Sequence, residues 1–151
     1  MSIQKLEITA SIQIQKPLQD VFEGIVDPAK MSNYFISRST GRMEEGKKLI
    51  WGFPDYDQDI PVRIGKIEKD KYISFYWGAE NDQQIVEMNL KTYKDSTVVT
   101  VTEKSKNNDE AGIAWLKGNT EGWANFLACL KAYLEYGINL RKGAFDYRFD
   151  K

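Results

Sequence analysis

Histidine is absent from all 151 residues, and that gap removes both the usual general base near neutral pH and the commonest protein metal ligand. Ser-His-Asp triads, Cys-His dyads and most zinc sites are excluded with it, and no metal or cofactor is expected. A single cysteine, Cys129, has nothing to pair with inside the chain, so no intrachain disulfide forms and a reducing, cytoplasmic setting is expected. No apolar run approaches the roughly 18 to 20 residues of a membrane span. Met1 to Gln15 also lack the basic-then-apolar order of a secretory leader, so neither membrane insertion nor secretion is expected. An excess of one charge is missing too: 21 Lys and Arg stand against 22 Asp and Glu. Such a balance gives no global field for nucleic acid or anionic lipid.

What the sequence does hold is aromatic bulk, with four Trp, eight Tyr and seven Phe, enough to fill a core or to line a cavity. Its length predicts one domain over residues 1–151 with no linker. From Leu6 to Ile14 apolar residues alternate with polar ones, the period of a strand with one wet face. Lys16-Pro17 ends that strand and Pro17 suits the first turn of a helix carrying Val21, Phe22, Ile25 and Val26. Asp27-Pro28 breaks this helix and opens a second short one ending at Tyr34 or Phe35.

Six β-type segments follow, over 37–43, 47–53, 59–67, 72–77, 84–93 and 97–103, separated by short polar turns of hairpin length. Their parity gathers Leu49, Trp51 and Phe53, then Ile73, Phe75 and Trp77, then Val86, Met88 and Leu90, then Val99 and Val101 on one face. The period then changes. Leu116, Thr120, Trp123, Leu127, Leu130 and Leu134 step by four and three along a helix expected over about 111–138, ending at Gly137 or Gly143. Phe126, Cys129, Tyr133 and Tyr136 lie around its flank, and residues 142–151 read as a tail with Phe145, Tyr147 and Phe149 alternating. The order predicts an α+β fold: a curved antiparallel sheet of about six to seven strands wrapped around a long C-terminal helix, with two short helices after the first strand.

With Leu49-Ile-Trp-Gly-Phe53, Ile73-Ser-Phe-Tyr-Trp77, the run from Ser96 to Thr102 and Gly122-Trp123 followed by Leu127, Leu130 and Leu134, the sequence resembles a known family. It is similar to the activator of heat-shock protein 90 ATPase family, within the START-related and birch-pollen-allergen-like superfamily of helix-grip domains. The resemblance implies a deep pocket between long helix and sheet that commonly receives hydrophobic small molecules. The family takes its name from a two-domain eukaryotic cochaperone whose second domain has this fold. No counterpart of the first domain is visible here, so chaperone stimulation is not expected.

Three chemical motifs are tested and set aside. Gly41 to Lys48 nearly matches a phosphate loop, but Lys48 replaces the hydroxyl residue, Glu44 and Glu45 would repel phosphate, and a strand follows where a helix is needed. Asp55, Asp57 and Asp59 alternate like a calcium loop, yet Ile60 stands at the glycine position and Lys66 at the bidentate Glu position, leaving a solvated acidic turn. Cys129 has no activating histidine and reads as a small packing residue, so no catalytic residue is assigned. Glu103 shares the inward parity of Val99 and Val101, but as the last residue of its expected strand it is read as solvated, at the mouth.

The expected function is non-enzymatic binding of an apolar or amphipathic small molecule between helix and sheet. Trp51, Phe53, Phe75, Trp77, Met88, Trp123 and Leu127 are the expected cavity lining, with Tyr34, Phe35 and Glu103 at the rim. Buried indoles need polar partners, so the Trp N–H groups are also candidates to orient a ligand oxygen. The alternative is a protein-interaction module, related to chaperone ATPase activators, using the helix flank and the aromatic tail. Either a monomer or a homodimer is compatible with this pattern.

Overall fold

The computed structural model describes residues 4–148. Strand β1 (Lys5–Ile14) leads into α1 (Leu18–Val26) and α2 (Pro28–Met31). Six more strands follow: β2 (Arg38–Ser39), β3 (Lys48–Phe53), β4 (Tyr56–Glu68), β5 (Tyr72–Ala79), β6 (Asp82–Tyr93) and β7 (Ser96–Asn107). The helix α3 (Glu110–Tyr136) then crosses the sheet, and a short 3-10 turn over Asp146–Arg148 ends the described chain. All seven strands form one antiparallel sheet in the order β1-β7-β6-β5-β4-β3-β2, so a meander is closed on its far side by the first strand. The expected helix-grip architecture is the observed one.

Local chemistry explains the boundaries. Asp27 caps α2 by accepting from the Ala29 backbone N–H at 2.9 Å, and Pro28 occupies the first turn, where its missing N–H costs nothing. Asp109 caps α3 in the same way, accepting from Gly112 N–H at 2.8 Å. At the other end Gly137, at φ 66°, takes the left-handed conformation that an uncapped helix end favours and donates to the Tyr133 carbonyl at 2.9 Å. Gly137, not Gly143, ends the helix.

The segment read as a strand over 37–43 pairs only through Arg38 and Ser39, because the chain then turns away through Gly41 toward α1, where Met43 N–H meets the Val26 carbonyl at 3.1 Å. The loop resembling a phosphate site is the connection into β3, as its strand-like sequel required. Strand β7 is longer than its apolar pattern suggested, running through the polar residues to Asn107 because β1 pairs with it along that stretch.

The core lies between the concave face and α3. Phe75 faces Val86 across β5 and β6, Met88 faces Val101, and Leu90 faces Val99, and all of these side chains are buried. Helices α1 and α2 cover the same face with Val21, Phe22, Ile25, Val26 and Met31. Leu127 and Leu130 are buried between them on α3, while Leu116 and Leu134 are half-buried toward its ends. No helix among the described residues is long and apolar enough to cross a membrane.

One ion pair fastens α1 to the loop before β3. Arg42 donates through Nη1 to Glu23 Oε2 at 2.8 Å and through Nη2 to Oε1 at 2.9 Å, and this bidentate contact holds the Glu23 carboxyl below its ordinary range. A carboxylate whose folded pKa is depressed contributes stability above its unfolded value, and that contribution is lost as pH falls through the folded one. Replacing Arg42 with Gln should therefore lower stability by a constant amount near neutrality. The difference from the parent should shrink below about pH 4, as read by urea unfolding across a pH series.

Candidate functional site

The last inward position of β7 carries an acid. Glu103 sits opposite Val86 of β6 and Ile8 of β1 and is 1% exposed, which corrects its expected place at a wet rim. The reason is the extra length of β7: four more residues of the strand follow Glu103, three of them paired with β1, so it lies inside the sheet and not at its end. Three donors converge on it. Trp77 Nε1 donates to Oε2 at 2.9 Å, Trp123 Nε1 to Oε1 at 2.8 Å, and Asn119 Nδ2 to Oε1 at 3.0 Å. One carboxylate thus fixes two indoles and an amide drawn from β5 and α3. Its ionised form is acceptor-only, which matches a ring of partners that are all donors.

These same groups wall a cavity of about 250 Å³ between α3 and the sheet. Trp77, Asn119 and Trp123 form one side, Phe35 and Phe53 another, and Arg141 and Arg148 stand with them. Gly118 and Gly122, one helical turn apart, complete the wall, and a Cβ at either would meet nothing within 4 Å. The rings interlock: Trp77 and Trp123 lie 5.5 Å apart, Phe35 and Phe53 5.2 Å, and Phe35 and Trp123 6.2 Å between centroids. Such tilted and edge-on contacts favour a rigid aromatic wall.

The expected lining divides. Phe53, Trp77 and Trp123 face the cavity, joined by Phe35 from the expected rim. Trp51, Phe75, Met88 and Leu127 are buried behind them as core, with Trp51 edge-on to Phe75 at 5.1 Å. Tyr34 is not a rim residue of this cavity. It is 1% exposed, donates its hydroxyl to the Gly24 carbonyl at 2.8 Å, and stacks on Tyr133 at 5.7 Å, and burial drives its hydroxyl pKa well above the ordinary value. The indoles of Trp77 and Trp123 have their partner in Glu103, so they are not free to orient a ligand. That of Trp51 is buried without a protein partner.

Asn119, Arg141 and Arg148 had no place in the sequence reading. Asn119 carried a usable signal, since it lies four residues before Trp123 and shares its helix face. The arginines carried none, because they follow the helix, outside the apolar patterns that named the other residues. Arg141 donates through Nη2 to both oxygens of Asp55, at 2.9 and 3.0 Å. Asp55 is therefore no solvated turn residue; its side chain is 8% exposed and ties the β3-β4 turn to the C-terminal segment. Asp59 pairs with Arg38.

The helix flank offered as an interaction surface is mostly covered. Phe126 is buried against Phe35 at 4.7 Å and Tyr133 lies half-buried on Tyr34, leaving Tyr136 exposed. In the tail, Phe145 lies under Arg141 and Arg148, Tyr147 is exposed, and Phe149 falls outside the described residues. Cys129 is buried, and burial pushes its thiol pKa up, in keeping with a packing role.

Comparison with known proteins agrees with the fold. The profile of the family described as activator of Hsp90 ATPase homolog 1-like protein matches residues 15–135. The chain belongs to this family. Among solved structures, protein SSP2350 from Staphylococcus saprophyticus is 34% identical, with 90% of this chain and 96% of that chain covered at a TM-score of 0.80. The Aha1 dimer from Colwellia psychrerythraea is 16% identical over 87% of this chain and 98% of that one, with a TM-score of 0.76. DynU16, from the dynemicin biosynthetic locus, is 20% identical over 87% of this chain but 48% of its own, at 0.78. These last two are alike in fold alone. No curated protein matches the sequence.

Proposed function

We propose that this chain binds an apolar or amphipathic small molecule in the cavity between α3 and the sheet, without transforming it. The observation that carries this reading is the fixed aromatic wall. Phe35, Phe53, Trp77 and Trp123 line an open space, and the Glu103 carboxylate holds two of those rings in place. A core designed only for packing would close such a space, since voids next to apolar side chains forfeit contacts. Ligand sites, by contrast, are concave, largely apolar and preformed. Among the described residues no acid-base pair stands in the wall, which favours holding over chemistry.

Native mass spectrometry against the denatured mass tests the reading. Extra mass released on denaturation is the expected result. Trp77→Phe with Trp123→Phe, which keep an aromatic ring at each position while removing the anchored indoles, should reduce that retained mass. A parent protein of bare mass that also fails to bind any apolar probe would sink the proposal.

A further inference from the structure

Resting on that reading of the cavity, we infer that its ligand is an acid: a compact apolar body seated among the rings, with a carboxylate directed at Arg141 and Arg148. Four observations lead there. Both arginines line the cavity, and among the described residues no acidic side chain does. The Nε of Arg141 is buried with no hydrogen-bond partner, although its Nη2 is engaged by Asp55. A guanidinium that bonds one carboxylate through Nη2 keeps Nε–H for another acceptor, and a buried donor of that kind needs one.

The third observation is position. The Arg141 guanidinium carbon lies 6.0 Å from the Phe35 ring centroid and 5.7 Å from that of Phe53, so the cation borders the rings that would hold an apolar body. Arg141 and Phe35 also line a second cavity of about 250 Å³, and thus form the partition between two adjoining spaces. The last is charge balance. Asp55 answers one of the two cations; among the described residues Arg148 pairs only with Glu121, at 3.5 Å, and that Glu side chain is 65% exposed, where an ion pair is worth little. A ligand carboxylate would give Arg148 a stronger partner, in the planar geometry that guanidinium groups match best.

The probes are 1-naphthoate and 1-naphthamide, which share a ring system and differ in charge, titrated by calorimetry into the full chain. Naphthoate is expected to bind roughly tenfold tighter, the size of one charge-assisted hydrogen bond. Arg141→Gln and Arg148→Gln should each lower naphthoate affinity more than naphthamide affinity and so remove most of that preference. Arg148 is the safer position, because its ion pair is on the surface and its loss leaves the Arg141-Asp55 contact in place. Equal affinity for the two probes, or a naphthoate preference that survives both substitutions, overturns the acid assignment and leaves the cavity reading standing. Binding of neither probe overturns both.

Discussion

Glu103→Gln should destabilise the protein by about 2 kcal/mol, although the substitution changes no heavy-atom count. The carboxylate accepts from three donors and offers none. An amide in its place carries an NH2 at one of the two oxygen positions. With the NH2 at the Oε2 position it confronts the Trp77 indole N–H. With the NH2 at the Oε1 position it confronts the Trp123 indole N–H, even if Asn119 turns its own amide to present oxygen. One indole loses its acceptor in either orientation, and an indole cannot reverse its polarity. Glu103→Ala should cost more, about 3 kcal/mol, because both indoles and the Asn119 amide lose a charged acceptor together. Urea unfolding followed by far-UV circular dichroism reads the change. Tryptophan emission should shift in the same variants, since Trp77 and Trp123 are released from the same anchor. A loss below about 0.5 kcal/mol for both variants would mean that the three hydrogen bonds contribute nothing net.

Gly112→Ala should cost about 3 kcal/mol for a different reason, the close approach of backbone to backbone where β7 hands over to α3. A Cβ built on Gly112 would lie 1.9 Å from the Asn107 carbonyl oxygen and 3.1 Å from its carbon. That oxygen already accepts from the Asp109 N–H at 2.9 Å, so it is fixed by the turn that launches the helix. Moving it would disturb the Asp109 cap, which accepts from Gly112 itself. Gly118→Ala is the matching control on the same helix. Its Cβ would meet nothing within 4 Å, so only helix propensity acts, and a gain of up to about 1 kcal/mol is expected. Equal effects at the two positions would show that propensity, not the Asn107 contact, governs Gly112.

The sequence by itself determined the α+β architecture, because local periodicity reports which face of each element is apolar. Alternation from Leu6 to Ile14 and the stripe from Leu116 to Leu134 both translate directly into β1 and α3. Parity likewise placed Glu103 on the inner face of the sheet, and aromatic bulk named Phe53, Trp77 and Trp123 as a wall. What parity could not supply was depth. Strand β7 gains its last residues from pairing with β1, about a hundred residues away in sequence, a distance that no local pattern reports. Only that pairing turns Glu103 from an expected rim residue into the buried acceptor of two indoles. The same holds for Asp55 and Arg141, which are 86 residues apart and silent as separate residues. Charge on a loop reads as solvated until a distant partner covers it, because the balance between hydration and ion pairing is set by tertiary burial and not by composition.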